Sequence, residues 1–195
     1  MYTVSRRSFL KQGALGLTVV SGSLAGLGWL GRLAVAAPND NDTPEMTNHE
    51  YVEHHLLEEG LHCSQTVVKR YAEKRGWNKE ELMAAAVMVG GAMGPAAPCG
   101  GVTGALMVLG LHAHSITDGV GAGQGQTMRM HAEFSQQFLQ EYETLICSEL
   151  LGLDLMTPEG WAAYMEQGLG YSVCVPMIAG TLDILDRMMA AEESV

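Results

Sequence analysis

Residues 82–111 contain no Asp, Glu, Lys or Arg. A run of that length without charge belongs in a protein core or in a membrane. Pro95, Pro98 and several glycines break it, and each apolar half is shorter than the roughly 20 residues that a membrane span needs. The expectation is therefore a buried helix pair in a domain that does not span a membrane. Inside the run stands Pro98-Cys99-Gly100-Gly101-Val102-Thr103-Gly104. Val102, Ala105, Leu106 and Leu109 then recur at i, i+3, i+4 and i+7, the spacing of one helix face. Cys99 falls near that helix start, where backbone N–H groups and the helix dipole favour a thiolate or a bound anion. Gly100 and Gly104, four residues apart, make a bare strip that another backbone can approach.

Helical punctuation surrounds this stretch. Thr47-Asn48-His49-Glu50 reads as a capping box, and Gly60 as the end of its helix. A second helix opens around Cys63 and stops at Gly76. Asn78 reads as the cap of a third, running to Gly90-Gly91. The segment from Gly90 to Pro98 reads as an irregular buried loop. Residues 118–126 are glycine-rich and read as a loop. No strand precedes Gly121-Ala122-Gly123-Gln124-Gly125, which excludes a nucleotide-binding fingerprint. A long amphipathic helix is expected from about residue 127 to 144, a short one from Ile146 to Gly152, and a capped turn at Thr157-Pro158. Pro176 reads as the first residue of the last helix, with Cys174 just before it. No strand alternation occurs. The fold class is all-α, a compact bundle of five to seven helices.

The N-terminus carries an address. Ser5-Arg6-Arg7-Ser8-Phe9-Leu10-Lys11 has the form of a twin-arginine export motif. An apolar, glycine-rich stretch and the small residues Ala34-Val35-Ala36 follow. Residues 1–36 therefore read as a signal peptide, 37–46 as a flexible linker and 47–195 as a four-cysteine helical domain. The localisation implied is periplasmic or otherwise extracytoplasmic. The twin-arginine route carries folded cargo, often with a cofactor already inserted. Taking Arg6, Arg7, Lys11 and Arg32 from the 11 basic residues leaves seven against 22 acidic ones, a net charge of −15. Such a chain suits neither nucleic acid nor anionic lipid, and its natural partner is a basic redox protein. The glycine strip and the many methionines also allow a homodimer.

The four cysteines are Cys63, Cys99, Cys147 and Cys174, separated by 36, 48 and 27 residues. None forms Cys-x-x-Cys, so the zinc-ribbon and thioredoxin patterns are absent. Cys-x-x-Cys-His is also absent, so no covalent haem is expected. Cys63, Cys99 and Cys174 are expected at helix starts, whose positive ends would stabilise thiolates around an anionic cofactor. Three chemistries are open: a four-thiolate metal site, most simply an iron–sulfur cluster; a metal-free dithiol that cycles; and two static disulfides in a non-redox accessory protein. Structural zinc is a fourth. No Ser-His-Asp arrangement, carboxylate dyad or phosphate loop is identifiable. The reading is an electron carrier or redox subunit rather than a substrate-turnover enzyme.

Cys63, then Cys99-Gly100-Gly101-Val102-Thr103-Gly104-Ala105-Leu106, then Cys147 and Cys174 resemble the pattern of the C-GCAxxG-C-C family of redox-active proteins. The resemblance covers roughly residues 50–188, with the four cysteines, Gly100 and Gly104 as matching positions. One departure is Gly101, where the family usually has Ala. The pattern is similar also to the N-terminal part of split-Soret cytochromes, where the corresponding cysteines are associated with a two-iron cluster beside covalent haems. The resemblance thus implies a [2Fe–2S] cluster held by Cys63, Cys99, Cys147 and Cys174, without the haems.

Overall fold

A computed structural model describes residues 45–90, 96–117 and 124–193, all within the second of the chain's two units, Pro44–Val195. The export motif, most of the linker and the glycine-rich segments 91–95 and 118–123 lie outside the described residues. Among those described there are eight α-helices and no strand, so the all-α bundle stands. The helix count exceeds the expected five to seven because the capped turn expected at Thr157-Pro158 opens a full helix; α1 (Asn48–Val52) and α6 (Cys147–Leu151) are five-residue pieces. The others are α2 (Cys63–Arg75), α3 (Lys79–Ala86), α4 (Gly100–Ser115), α5 (Gln124–Tyr142), α7 (Pro158–Glu166) and α8 (Val175–Glu193).

The central helix is α4, which packs on α2, α5 and α8. Val102, Ala105, Val108 and Leu109 bury its apolar face, as their spacing demands. Phe134 and Phe138 of α5 and Ile178, Leu182 and Leu185 of α8 close the core around it. The bare strip works inside the chain. A Cβ at Gly104 would lie 2.8 Å from the Ser64 carbonyl oxygen and 3.0 Å from Val67 Cβ, so only glycine lets α2 seat this closely on α4.

The buried pair expected from the uncharged run is only half present. Helix α4 is buried, but α3 and the 3₁₀ turn Val87–Val89 lie largely at the surface, with Met88 75% exposed. Their attachment runs through α2: Ser64 Oγ donates to the Ala86 carbonyl and Gln65 Nε2 to that of Met83. Thr103 Oγ1 of α4 donates to the Val89 carbonyl. The loop after Gly90 is likewise not wholly buried, since Ala96 and Pro98 are exposed. Helix α5 starts at Gln124, a few residues ahead of expectation. Among the described residues no single helix is long and apolar enough to cross a membrane. One bent pair, Pro158–Glu166 with Gly170–Glu192 at 76°, passes by length and composition alone, and much of α8 is core.

The candidate redox site

Each cysteine is delivered by a different element. Cys63 is the first residue of α2, and Cys147 the first of α6. Cys99 is the N-cap of α4, and its Sγ accepts the Gly101 N–H at 3.4 Å. Cys99 and Cys147 are tied to each other through the backbone. Pro98 and Ile146 form an isolated antiparallel bridge, in which Cys99 N–H donates to the Leu145 carbonyl at 2.8 Å and Cys147 N–H to that of Ala97 at 3.0 Å. That one pair of bonds fixes the start of α6 beside the start of α4 across a gap of 48 residues.

Cys174 corrects the expectation in part. It stands directly before α8, as expected, but not at a free helix start: it ends a π-helical turn, Gly170–Cys174, that runs straight into α8. Pro176 follows just after. It has no N–H with which to bond the Ser172 carbonyl, and the Val175 N–H bonds Gly170, five residues back. The three sulfurs at helix starts are thus those of Cys63, Cys99 and Cys147. A second π-helical turn, Glu53–Glu58, continues α1 and meets the first.

All four cysteines are free thiols and line one pocket of about 570 Å³. Cys99, Cys147 and Cys174 are buried, while Cys63 is partly exposed. Leu56, Leu151, Leu155 and Met177 pack around them, and no Asp, Glu, Lys or Arg is among the described lining residues. Leu57, Trp161 and Met165 stand exposed at its mouth. His62 lines the pocket too; it is the exposed N-cap of α2, and its N–H donates to Gln65 Oε1.

The thiols differ electrostatically. Cys63 is hydrogen-bonded to Cys174, and that bond, with burial, holds the Cys63 thiol well above the usual range. The same bond, helped by one from Tyr164, holds Cys174 below it against the cost of burial. Burial pushes the Cys99 thiol up to about 12, although the Gly101 N–H opposes this.

Of the two glycines singled out, Gly104 brings the Cys63 end of α2 against α4, and Gly100 is buried in the first turn of α4. The amide that reaches sulfur belongs to Gly101. A Cβ on Gly101 would sit 3.2 Å from Thr181 Oγ1 of α8, which explains how α8 comes close without the alanine of the family pattern. Sequence reading missed Tyr164, whose hydroxyl donates to Cys174 Sγ at 3.9 Å. No local signal marks it, since it lies on a different helix. Away from the pocket, His54, His55 and Glu59 offer three ligand atoms within 4.8 Å of one another. Lys69 Nζ stands there already, 2.9 Å from His55 Nδ1 and 3.4 Å from Glu59. A resident ammonium disfavours a metal cation at that place.

The fold and site define a class: a small all-α protein with four free thiols gathered in one uncharged pocket. Residues 61–188 match the family model described as "Putative redox-active protein (C_GCAxxG_C_C)", and the chain belongs to that family. No curated protein and no solved structure matches it.

Proposed function

We propose that this chain is an exported electron-transfer protein in which Cys63, Cys99, Cys147 and Cys174 hold one [2Fe–2S] cluster. The observation that carries the reading is the convergence of four thiols from four elements on one uncharged pocket. The donor set fits. Four thiolates are what such a cluster takes, and the Gly101 N–H offers a bond to a ligand sulfur. The bound cluster would supply reversible one-electron transfer. The chain's own residues hold the sulfurs, exclude water with Leu56, Leu151, Leu155 and Met177, and leave one apolar mouth. Twin-arginine export agrees with a cofactor inserted before the chain leaves the cytoplasm, which would also keep the thiols from oxidising in the periplasm. The acidic surface suits a basic redox protein docking at the mouth.

Protein matured in its native host and purified without oxygen should carry about two irons per chain and a visible sulfur-to-iron absorption. Replacing any one of the four cysteines with Ser should remove most of both. Colourless, iron-free protein with four titratable thiols overturns the reading.

One contact favours a second reading, a metal-free dithiol. Cys63 and Cys174 are hydrogen-bonded to each other, and Cys174 is the thiol held below its ordinary range. In that chemistry the two S–H bonds break, one S–S bond forms, and two protons and two electrons pass to an oxidised disulfide partner. A mixed disulfide trapped in Cys63→Ser or Cys174→Ser, from iron-free protein, would establish it.

A further inference from the structure

Tyr164 sits on α7, outside every motif that gathers the sulfurs. Its hydroxyl nevertheless ends 3.9 Å from Cys174 Sγ, within the longer reach of a sulfur acceptor. Two neighbours hold the ring. Trp161 stacks on it, with centroids 5.5 Å apart and planes at 23°. Gly170, buried at the start of the π-helical turn that carries Cys174, leaves room for the oxygen: a Cβ there would lie 2.7 Å from the Tyr164 hydroxyl and 3.4 Å from Cζ. The side chain is missing at the place where it would push the hydroxyl off the sulfur. Ring packing alone would be served by Phe; the hydroxyl is the nearest atom to such a Cβ, with Leu57 Cδ2 next at 3.2 Å.

We propose that Tyr164 is a positioning residue of the cysteine centre, and that its O–H···Sγ bond to Cys174 sets that centre's reduction potential. The inference rests on reading the cysteines as a redox centre. A donor bond to a ligand sulfur strengthens as negative charge accumulates there, so it favours the reduced state and raises the potential. The electron comes from an external one-electron donor and leaves to an external acceptor. Tyr164 keeps its proton throughout, and no bond to it breaks.

The test is Tyr164→Phe, which keeps the ring and loses the donor, with Tyr171→Phe as control because Tyr171 is 58% exposed and lines no part of the pocket. Iron content and visible absorption of the wild type are measured first, which decides the cofactor reading separately. In iron-loaded protein the Tyr164→Phe midpoint should fall by about tenfold in the reduction equilibrium, about 59 mV for one electron, with iron content unchanged and Tyr171→Phe at the wild-type value. If the wild type carries no iron, the same variants are titrated against thiol–disulfide buffers. The bond then favours the reduced dithiol, and the expected fall is about tenfold again, about 30 mV for two electrons. Gly170→Ala, which displaces the hydroxyl while keeping it, should lower the midpoint in the same direction, and should add nothing to Tyr164→Phe. In either chemistry, a Tyr164→Phe midpoint equal to wild type overturns the assignment.

Discussion

Single glycines decide how near the sulfurs come to one another. Gly104 is the clearest case, because its missing side chain is matched by backbone: the Ser64 carbonyl oxygen and Cα would lie 2.8 and 3.0 Å from a Cβ. Backbone in a helix cannot swing aside as a flexible side chain can. Gly104→Ala must therefore push α2 off α4, and with it Cys63, whose neighbour Ser64 makes the contact. Overpacking of this kind costs about 1–3 kcal/mol. For a chain of this size that lowers the thermal midpoint by about 2–4 °C per kcal/mol. Gly101→Ala presses instead on Thr181 Oγ1 at 3.2 Å, and the alanine usual in the family at this position predicts that the neighbour gives. Thermal unfolding of the two variants side by side checks the claim, with Gly104→Ala the less stable. Equal midpoints would mean that the α2–α4 spacing is not set at Gly104.

At the scale of elements, the α1–α2–α8 corner is held by one carboxylate. Asp186 of α8 accepts from Tyr71 Oη at 2.6 Å, from Asn48 Nδ2 at 3.0 Å and from Lys74 Nζ at 2.9 Å. Burial alone would raise its pKa, but the three donors outweigh burial and hold it below 3.8. A carboxyl depressed on folding contributes stability that is complete above its unfolded pKa and lost as pH falls through the folded one. Asp186→Ala also strips the buried Tyr71 hydroxyl of its acceptor and should cost about 2 kcal/mol at neutral pH. Urea unfolding should show the gap from wild type closing as pH drops well below 3.8, and a gap independent of pH would remove the carboxylate from this role. Much of the element pattern was legible because it is written in local chemistry. The Thr47–Glu50 capping box is made in both directions. Gly60, Gly76 and Gly152 take φ of 69°, 67° and 69° and end their helices. Thr157 Oγ1 accepts the Gly160 N–H with Pro158 in the first turn. Asn78 stands at the expected N-cap but makes no side-chain capping bond. The π-helical turns were not legible, since wider winding has no composition of its own and is chosen by what packs around it. Cys174, which does stand just before α8, was read as a free helix start for that reason, and Tyr164 was invisible because only the tertiary fold brings α7 to the sulfurs.

The whole molecule puts an apolar opening inside an acidic surface. Leu57, Trp161 and Met165 stand exposed around the pocket mouth. Glu58, Glu59, Glu159 and Glu166, all exposed, lie within a few residues of them along the chain. Glu59 pairs with Lys69 at 3.4 Å, and His54 and His55 stand beside Glu58 and Glu59. With seven basic residues against 22 acidic ones beyond residue 36, little positive charge elsewhere can cancel the field. The potential should attract a cationic reactant to the place where the sulfurs are most accessible and repel an anionic one. If electrons leave through this mouth, the reduced protein will pass them to a cationic metal complex at least about tenfold faster than to an anionic complex of matched potential at low ionic strength. The preference should collapse as salt shrinks the Debye length from about 30 Å at 0.01 M to about 3 Å at 1 M. Stopped-flow oxidation across that salt range reads both parts at once. Equal rates at low salt would separate the acidic surface from the electron route, and a basic docking partner would lose its physical basis. A preference that survives high salt would point to direct contact with the apolar mouth instead of long-range steering.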